Sequence, residues 1–126
     1  MATYQDLADR LAPIGLDVVP PAVAEYSLPC ITLEPTGADI RQGNKQAWET
    51  ATISVRYPLA QNNVNQFAEC QRDAYAVFAQ LIGSQFVVGA STLFAAPDVD
   101  HPAMLYAFDV TFPGPYSITD RLTLES

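Results

Sequence analysis

The sequence predicts an α+β fold, with a mainly antiparallel sheet of about four to five strands and two helices packed on one face. Two segments repeat apolar residues at helical spacing, and several others alternate apolar with polar residues as half-buried strands do. Most connections between strands are short, which favours antiparallel pairing. A chain of 126 residues can bury one core, so residues 1–126 are expected to form a single domain.

The first helix is predicted close to the N-terminus. Thr3 can cap it, and Asp6 stands three residues later in the position of a capping box. Apolar residues then follow at helical spacing: Tyr4, Leu7, Ala8 and Leu11. Pro13 and Gly15 are expected to end this helix.

The next two strands are predicted to form a hairpin with a long projecting tip. The first covers residues 28–34, and Pro29 suits a strand start or an edge because proline has no N–H for the ladder. The second covers residues 48–57, where apolar and polar residues alternate. Between them, residues 36–47 are polar and contain two glycines, so we expect a long hairpin loop there.

A helix of about 20 residues is predicted from Asn62 or Asn63 to Gly83, with the asparagine as cap and the glycine as C-terminal stop. Its apolar residues share one broad stripe, which we expect to face the sheet. They are Val64, Phe67, Ala68, Ala74, Tyr75, Phe78, Leu81 and Ile82.

Two further strands are predicted at residues 85–94 and 103–112. The second alternates clearly, and its apolar set should face the core while the other set faces water or a partner. The core set is Met104, Tyr106, Phe108, Val110 and Phe112. After the Pro-Gly-Pro of residues 113–115, one more strand can form with Ile118, Leu122 and Leu124 on one side.

The composition excludes several classes of function. There are 14 acidic residues against 6 Lys plus Arg, giving a net charge of −8, and the cations are dispersed, which disfavours tight nucleic-acid binding. No window approaches the roughly 18 consecutive apolar residues of a membrane span. The N-terminus lacks the pattern of a signal peptide, so we expect a protein made in a cytoplasm. Cys30 and Cys70 are accordingly expected to be reduced thiols in or near the core.

One short segment could carry chemistry. Asp98, Asp100 and His101 could supply oxygen and imidazole ligands to a divalent metal, but flanking prolines favour a turn in which Asp bonds nearby backbone N–H groups. Cys30 and Cys70 both lie within apolar patterns that favour burial. This disfavours a catalytic pair between either cysteine and His101. Because no P-loop, G-x-S-x-G or H-E-x-x-H motif occurs, we predict no catalytic residue, no metal and no cofactor.

The order of elements, with "LPCITLEP", "WETATISVRYPLAQNNVNQFAECQRDAYAVFAQLIG" and "DVDHPAMLYAFDVTFP", resembles the tail terminator family of long-tailed bacteriophages. The resemblance implies a ring of six copies that caps the tail tube, stops its polymerisation and presents a surface to the neck. The implied partners are further copies of the chain, the tail tube protein and a head–tail connector or neck protein. Double-stranded DNA would pass through the channel without specific binding, and no membrane is involved.

The resemblance transfers no functional residue by identity, so candidate subunit-interface residues are nominated from surface chemistry. The nominees occupy the hairpin tip, its base and the loop before the last long strand: Asp39, Arg41, Lys45, Trp48, Asp98, Asp100 and His101. The alternatives are a head–tail joining or head-closure protein of the same phage class, a small metal-dependent enzyme, and a ligand-binding module with a pocket between helix and sheet.

Overall fold

The described residues form a five-stranded mixed sheet with two α-helices, so the predicted α+β class is confirmed. The computed structural model describes residues 2–39, 46–58, 64–96 and 103–117. In chain order the elements are α1 (Tyr4–Leu11), a 3₁₀ turn (Ala12–Ile14), β1 (Asp17–Val19), β2 (Cys30–Asp39), β3 (Gln46–Pro58), α2 (Val64–Leu81), β4 (Val87–Ala96) and β5 (Ala103–Ser117).

Helix α1 begins with the capping box that its sequence predicts. The Thr3 hydroxyl accepts from the Asp6 backbone N–H at 3.1 Å, and the Asp6 carboxylate accepts from the Thr3 N–H at 2.8 Å. These bonds satisfy two backbone donors that a helix start otherwise leaves unpaired. Leu7 and Leu11 then lie fully buried against the sheet.

The strand order in the sheet is β1-β2-β3-β5-β4. Every neighbouring pair from β2 to β4 is antiparallel, and only β1 joins β2 in parallel. β1 was missed in the sequence because three residues, Asp17–Val19, are too few to establish an alternation. The two long strands, β3 and β5, are adjacent in the middle of the sheet and form its framework.

Both helices cover one face of the sheet, here called the inner face. The alternation in β3 and β5 was predicted correctly, since Ile53 and Val55 pair with Phe108 and Tyr106 on that face. Buried residues of α1 and α2 complete a single cluster with them: Leu7, Leu11, Cys70, Ala74, Val77 and Leu81. The opposite face is called the outer face.

The described strands extend into the predicted hairpin loop from both sides. β2 continues to Asp39 and β3 begins at Gln46, so six of the twelve residues 36–47 belong to strands. A register shift between Pro35 and Gly37 lets the ladder continue past the proline. Residues 34–39 are all exposed, so this part of β2 projects beyond the core. Residues 40–45, the remainder of the loop, lie outside the described residues.

β5 also extends further than predicted, because it passes through the Pro-Gly-Pro segment to Ser117. β4 begins opposite Thr111, so the later residues of β5 have β3 on one side and, among the described strands, no neighbour on the other. Proline is tolerated in such an edge position. Glycine suits position 114 because any larger residue would place its Cβ only 3.2 Å from the Ala47 carbonyl oxygen, which is too close. The further strand expected after Pro115 falls largely on residues 118–126, outside the described part.

The face that α2 turns to the sheet differs from the prediction. Ala74 and Leu81 are buried as expected, but Cys70, Asp73 and Val77 occupy the rest of the inward face. The large apolar residues of the predicted stripe are substantially exposed: Phe67 36%, Phe78 43%, Ile82 61% and Tyr75 63%. The predicted apolar stripe is therefore broader than the buried face of α2. Its largest side chains lie beside that face and not on it.

Candidate functional site

Two of the seven nominated interface residues lie in the described part of the chain. Asp39 ends β2 in an exposed position and pairs in register with Trp48 of β3. Trp48 has the same parity along β3 as Thr50 and Thr52, which places its side chain on the outer face, where it is 37% exposed. The other nominees lie outside the described residues: Arg41, Lys45, Asp98, Asp100 and His101.

The outer face of the sheet is polar and cross-linked by side chains. Arg56 donates to the Thr32 hydroxyl at 3.0 Å and to the Glu34 carboxylate at 3.2 Å, which joins β3 to β2. Thr52 and Asp109 join β3 to β5 at 3.4 Å. Thr32, Ser54 and Leu105 on this face are buried, and the Arg56 guanidinium lies 5.8 Å from the centre of the Tyr26 ring, so this end of the outer face is covered. Trp48 lies exposed at the other end.

The most exposed apolar surface in the described part of the chain lies on one side of α2. We call Phe67, Tyr75, Phe78 and Ile82 the α2 flank. At 100° per residue they fall within one quadrant of the helix, about a quarter-turn from the buried residues. Exposed aromatic and aliphatic side chains grouped in this way are typical of a surface that another molecule covers.

The opposite side of α2 lies against α1. The Arg10 guanidinium donates to the Gln80 carbonyl oxygen at 2.7 Å, which fixes α1 next to that side of α2. On the flank side, Gln71 donates to the Tyr106 hydroxyl at 3.4 Å, and the Tyr75 ring lies 6.5 Å from the Tyr106 ring. The α2 flank therefore faces away from α1, towards β5 and β4.

A shallow cavity connects the α2 flank to the start of β4. It measures about 280 Å³ and is lined mainly by apolar residues at the end of α2 and the start of β4, including Phe78, Ile82, Val87 and Val88. Val87 is itself 55% exposed. The flank and the first residues of β4 therefore form one continuous apolar surface.

A second cavity lies at the other end of the sheet, between α1 and the first two strands. It measures about 260 Å³ and is lined by Tyr4, Gln5, Ala8, Val18, Pro20, Pro21 and Leu33. β1 pairs only with Cys30–Thr32, so β2 from Leu33 onwards has no neighbour on this side among the described strands. We call this cavity the α1 cavity.

Buried ionisable groups link α2 to β3 inside the fold. The Tyr57 hydroxyl donates to the Asp73 carboxylate, and Arg72 donates to the other oxygen of Asp73 at 3.2 Å. Burial, followed by the hydrogen bond to Asp73, raises the pKa of Tyr57 well above its ordinary range. This cluster ties α2 to β3 and keeps the phenol protonated, so it acts as a structural link.

Both cysteines are free and buried, as the sequence predicts. Burial raises the pKa of Cys30 to about 11 and that of Cys70 to about 11. The Cys70 thiol lies 3.7 Å from the Val55 carbonyl oxygen. A thiol that stays protonated at neutral pH is a poor nucleophile, so neither cysteine is suited to covalent catalysis.

In residues 2–39, 46–58, 64–96 and 103–117, no three His, Cys, Asp or Glu side chains form a group able to hold a metal ion. The segment nominated for a metal, Asp98, Asp100 and His101, lies outside those ranges. Neither described helix combines the length and the apolar character that crossing a membrane requires.

Comparison with known proteins shows that this chain shares its fold with a chain of a solved structure. No family model matches the sequence, and no curated protein matches it. A solved structure titled "Virion of native gene transfer agent (GTA) particle" contains a chain that superposes with a TM-score of 0.50 and 19% sequence identity. The match covers 82% of this chain and 84% of that one. At this identity the finding establishes a shared fold over most of both chains.

Proposed function

We propose that this chain is a structural virion protein that forms a ring on the end of a phage tail tube. The ring would end tube polymerisation and provide the joint to the head and neck. The single observation that carries the proposal is the shared fold with a chain of a gene transfer agent virion, which extends over most of both chains. The order of sequence elements that resembles the tail terminator family supports the same role.

The surfaces of the molecule support a role in assembly. Its described cavities are shallow and open, whereas its apolar side chains gather on the α2 flank and beside β4. A polar outer face and a net charge of −8 suit a component that stands next to DNA without binding it. We therefore assign no catalytic step to the chain, and its partners would be copies of itself, tube protein and a neck protein.

The proposal is tested by mixing the purified chain with tail tube protein and measuring tubes and rings by negative-stain electron microscopy. We expect six-fold rings and tubes that stop growing with a ring on one end. Native mass spectrometry should give a hexamer. A chain that binds a connector ring and leaves tube length unchanged would contradict the terminator role in favour of head–tail joining.

The hairpin tip provides a more specific expectation. Arg41 and Lys45 are two of only six cations in a strongly acidic chain, so we propose that they pair with carboxylates of a neighbouring copy. The double variant Arg41→Gln, Lys45→Gln should then lose rings. A matched control, Ala24→Glu with Ala79→Glu, changes the net charge equally at two exposed positions and should keep them. Rings that persist in the first variant would remove the hairpin tip from the interface.

A further inference from the structure

The segment between β1 and β2 crosses the outer face of the sheet. β1 and β2 are parallel neighbours, so residues 20–29 have to return along the strands before β2 can begin. Arg56 donates to Thr32 on the outer face, and its guanidinium lies 5.8 Å from the centre of the Tyr26 ring. We call residues 20–29 the strap. The strap therefore lies on the face opposite to the two helices.

Next to the strap, the outer face has a small buried group of its own. Val19, Cys30 and Thr32 are buried, and neither Val19 nor Cys30 belongs to the cluster beneath the helices. Cys30 pairs in register with Arg56, and Val19 pairs with Thr32, so these side chains share the outer face. Small groups of this kind are commonly found beneath long loops, apart from the main core.

The strap is itself held more loosely than the residues beside it. None of its ten residues is buried, and seven of them are exposed. It belongs to neither of the strands that it joins, and Pro20, Pro21 and Pro29 have no N–H to donate to the sheet. Segments with little buried surface and few backbone hydrogen bonds open at a lower free-energy cost than the core does.

The backbone near the start of the strap is strained. Ala22 has a φ of 67°, in the left-handed region that residues other than glycine rarely adopt. Such a conformation persists only where the surrounding structure imposes it. Opening of the strap releases this strain, so the strain favours the open state.

We propose that the strap opens by itself while the rest of the fold stays closed, and that the contact between Tyr26 and Arg56 holds it shut. Opening uncovers the outer side of β2 at Cys30 and Thr32. It also exposes Arg56, one of only six cations in the chain, whose side chain is 13% exposed when the strap is closed. The outer face therefore has a covered and an uncovered state within one fold. This inference concerns the single subunit and does not depend on the ring proposed above.

The two free cysteines measure this opening, because different elements cover them. Both thiols are fully buried, and burial raises the pKa of each to about 11, so their intrinsic reactivities are matched. Cys30 directly follows the strap, whereas Cys70 lies beneath α2 against the Val55 carbonyl oxygen. Opening of the strap exposes Cys30 alone, and exposure of Cys70 requires α2 to leave the sheet.

The experiment labels the full-length chain with iodoacetamide under native conditions and follows each cysteine by peptide mass spectrometry. In the wild-type chain we expect Cys30 to react at least about 10-fold faster than Cys70. Tyr26→Ala removes the ring from Arg56 and should raise the Cys30 rate about 3- to 30-fold, with the Cys70 rate unchanged. Val23→Ala is the matched control, because Val23 lies 43% exposed on the same strap, and it should leave both rates unchanged. Thermal melting by circular dichroism checks that each variant folds.

Three results overturn the inference. Equal labelling rates for the two cysteines of the wild-type chain mean that the strap opens only when the whole fold opens. A Cys30 rate that Tyr26→Ala leaves unchanged means that the ring does not hold the strap shut. If Tyr26→Ala raises both rates by the same factor, the ring stabilises the whole fold and has no separate role in the strap. If this variant does not fold, the comparison of the two cysteines in the wild-type chain decides.

Discussion

Phe112→Ala is expected to lower the free energy of unfolding by about 3–5 kcal/mol. Phe112 has no exposed surface and lies between two rings of different elements. Its ring centroid is 5.3 Å from that of Tyr4 and 5.2 Å from that of Phe86, both in edge-on arrangements. Truncation removes these contacts and leaves a cavity where the N-terminal helix, β5 and the segment before β4 meet.

Urea denaturation followed by circular dichroism measures this loss, with Phe78→Ala as the matched control. Phe78 is 43% exposed, so the same chemical change there should cost no more than about 1 kcal/mol in the isolated chain. If the two substitutions destabilise the chain equally, Phe112 is not at the centre of the core.

Tyr57→Phe is expected to cost about 1–3 kcal/mol, the usual penalty for leaving a buried polar group without a partner. Asp73 is 5% exposed and accepts hydrogen bonds from Tyr57 and from Arg72. Removing the phenol leaves one carboxylate oxygen buried without that donor. The effect should appear in equilibrium unfolding at pH 7 as a lower denaturant midpoint.

Tyr75→Phe provides the control for this second substitution. Tyr75 is 63% exposed on the same helix, so the loss of its hydroxyl should change stability by less than about 0.5 kcal/mol. The double variant Tyr57→Phe, Asp73→Leu removes both partners and should recover part of the loss. If Tyr57→Phe leaves the denaturant midpoint unchanged, water has replaced the phenol as the hydrogen-bond donor to Asp73.

The fold places its strongest interactions between the helices and the inner face of the sheet. The contacts of Phe112 and the link between Tyr57 and Asp73 hold α1 and α2 on that face. Among the described residues, the α2 flank keeps large apolar side chains substantially exposed. Grouped apolar exposure of this kind is typical of a surface that another molecule covers.

Local patterns in the sequence were sufficient for the class of fold and for many of its elements. The alternation along β3 and β5 identified their inner faces, because a strand presents successive side chains to opposite sides. Thr3 and Asp6 identified the start of α1, because a capping box is made within four residues. The nominated interface residues stay predictions, since five of the seven lie outside the described part. The α2 flank was assigned to the core, and its large side chains are exposed instead.

The sequence by itself determined both helices, the strands other than β1, and which side of β3 and β5 is apolar, because those properties depend on neighbours within a few residues. Only the tertiary structure decided that β2 and β5 continue past Pro35 and Pro113, because each extension depends on a paired strand. It also decided which half of the α2 stripe is buried. The helix has more apolar residues than one face can bury, and the small side chains of Ala74 and Val77 together with the Tyr57 donor for Asp73 favour that face against the sheet.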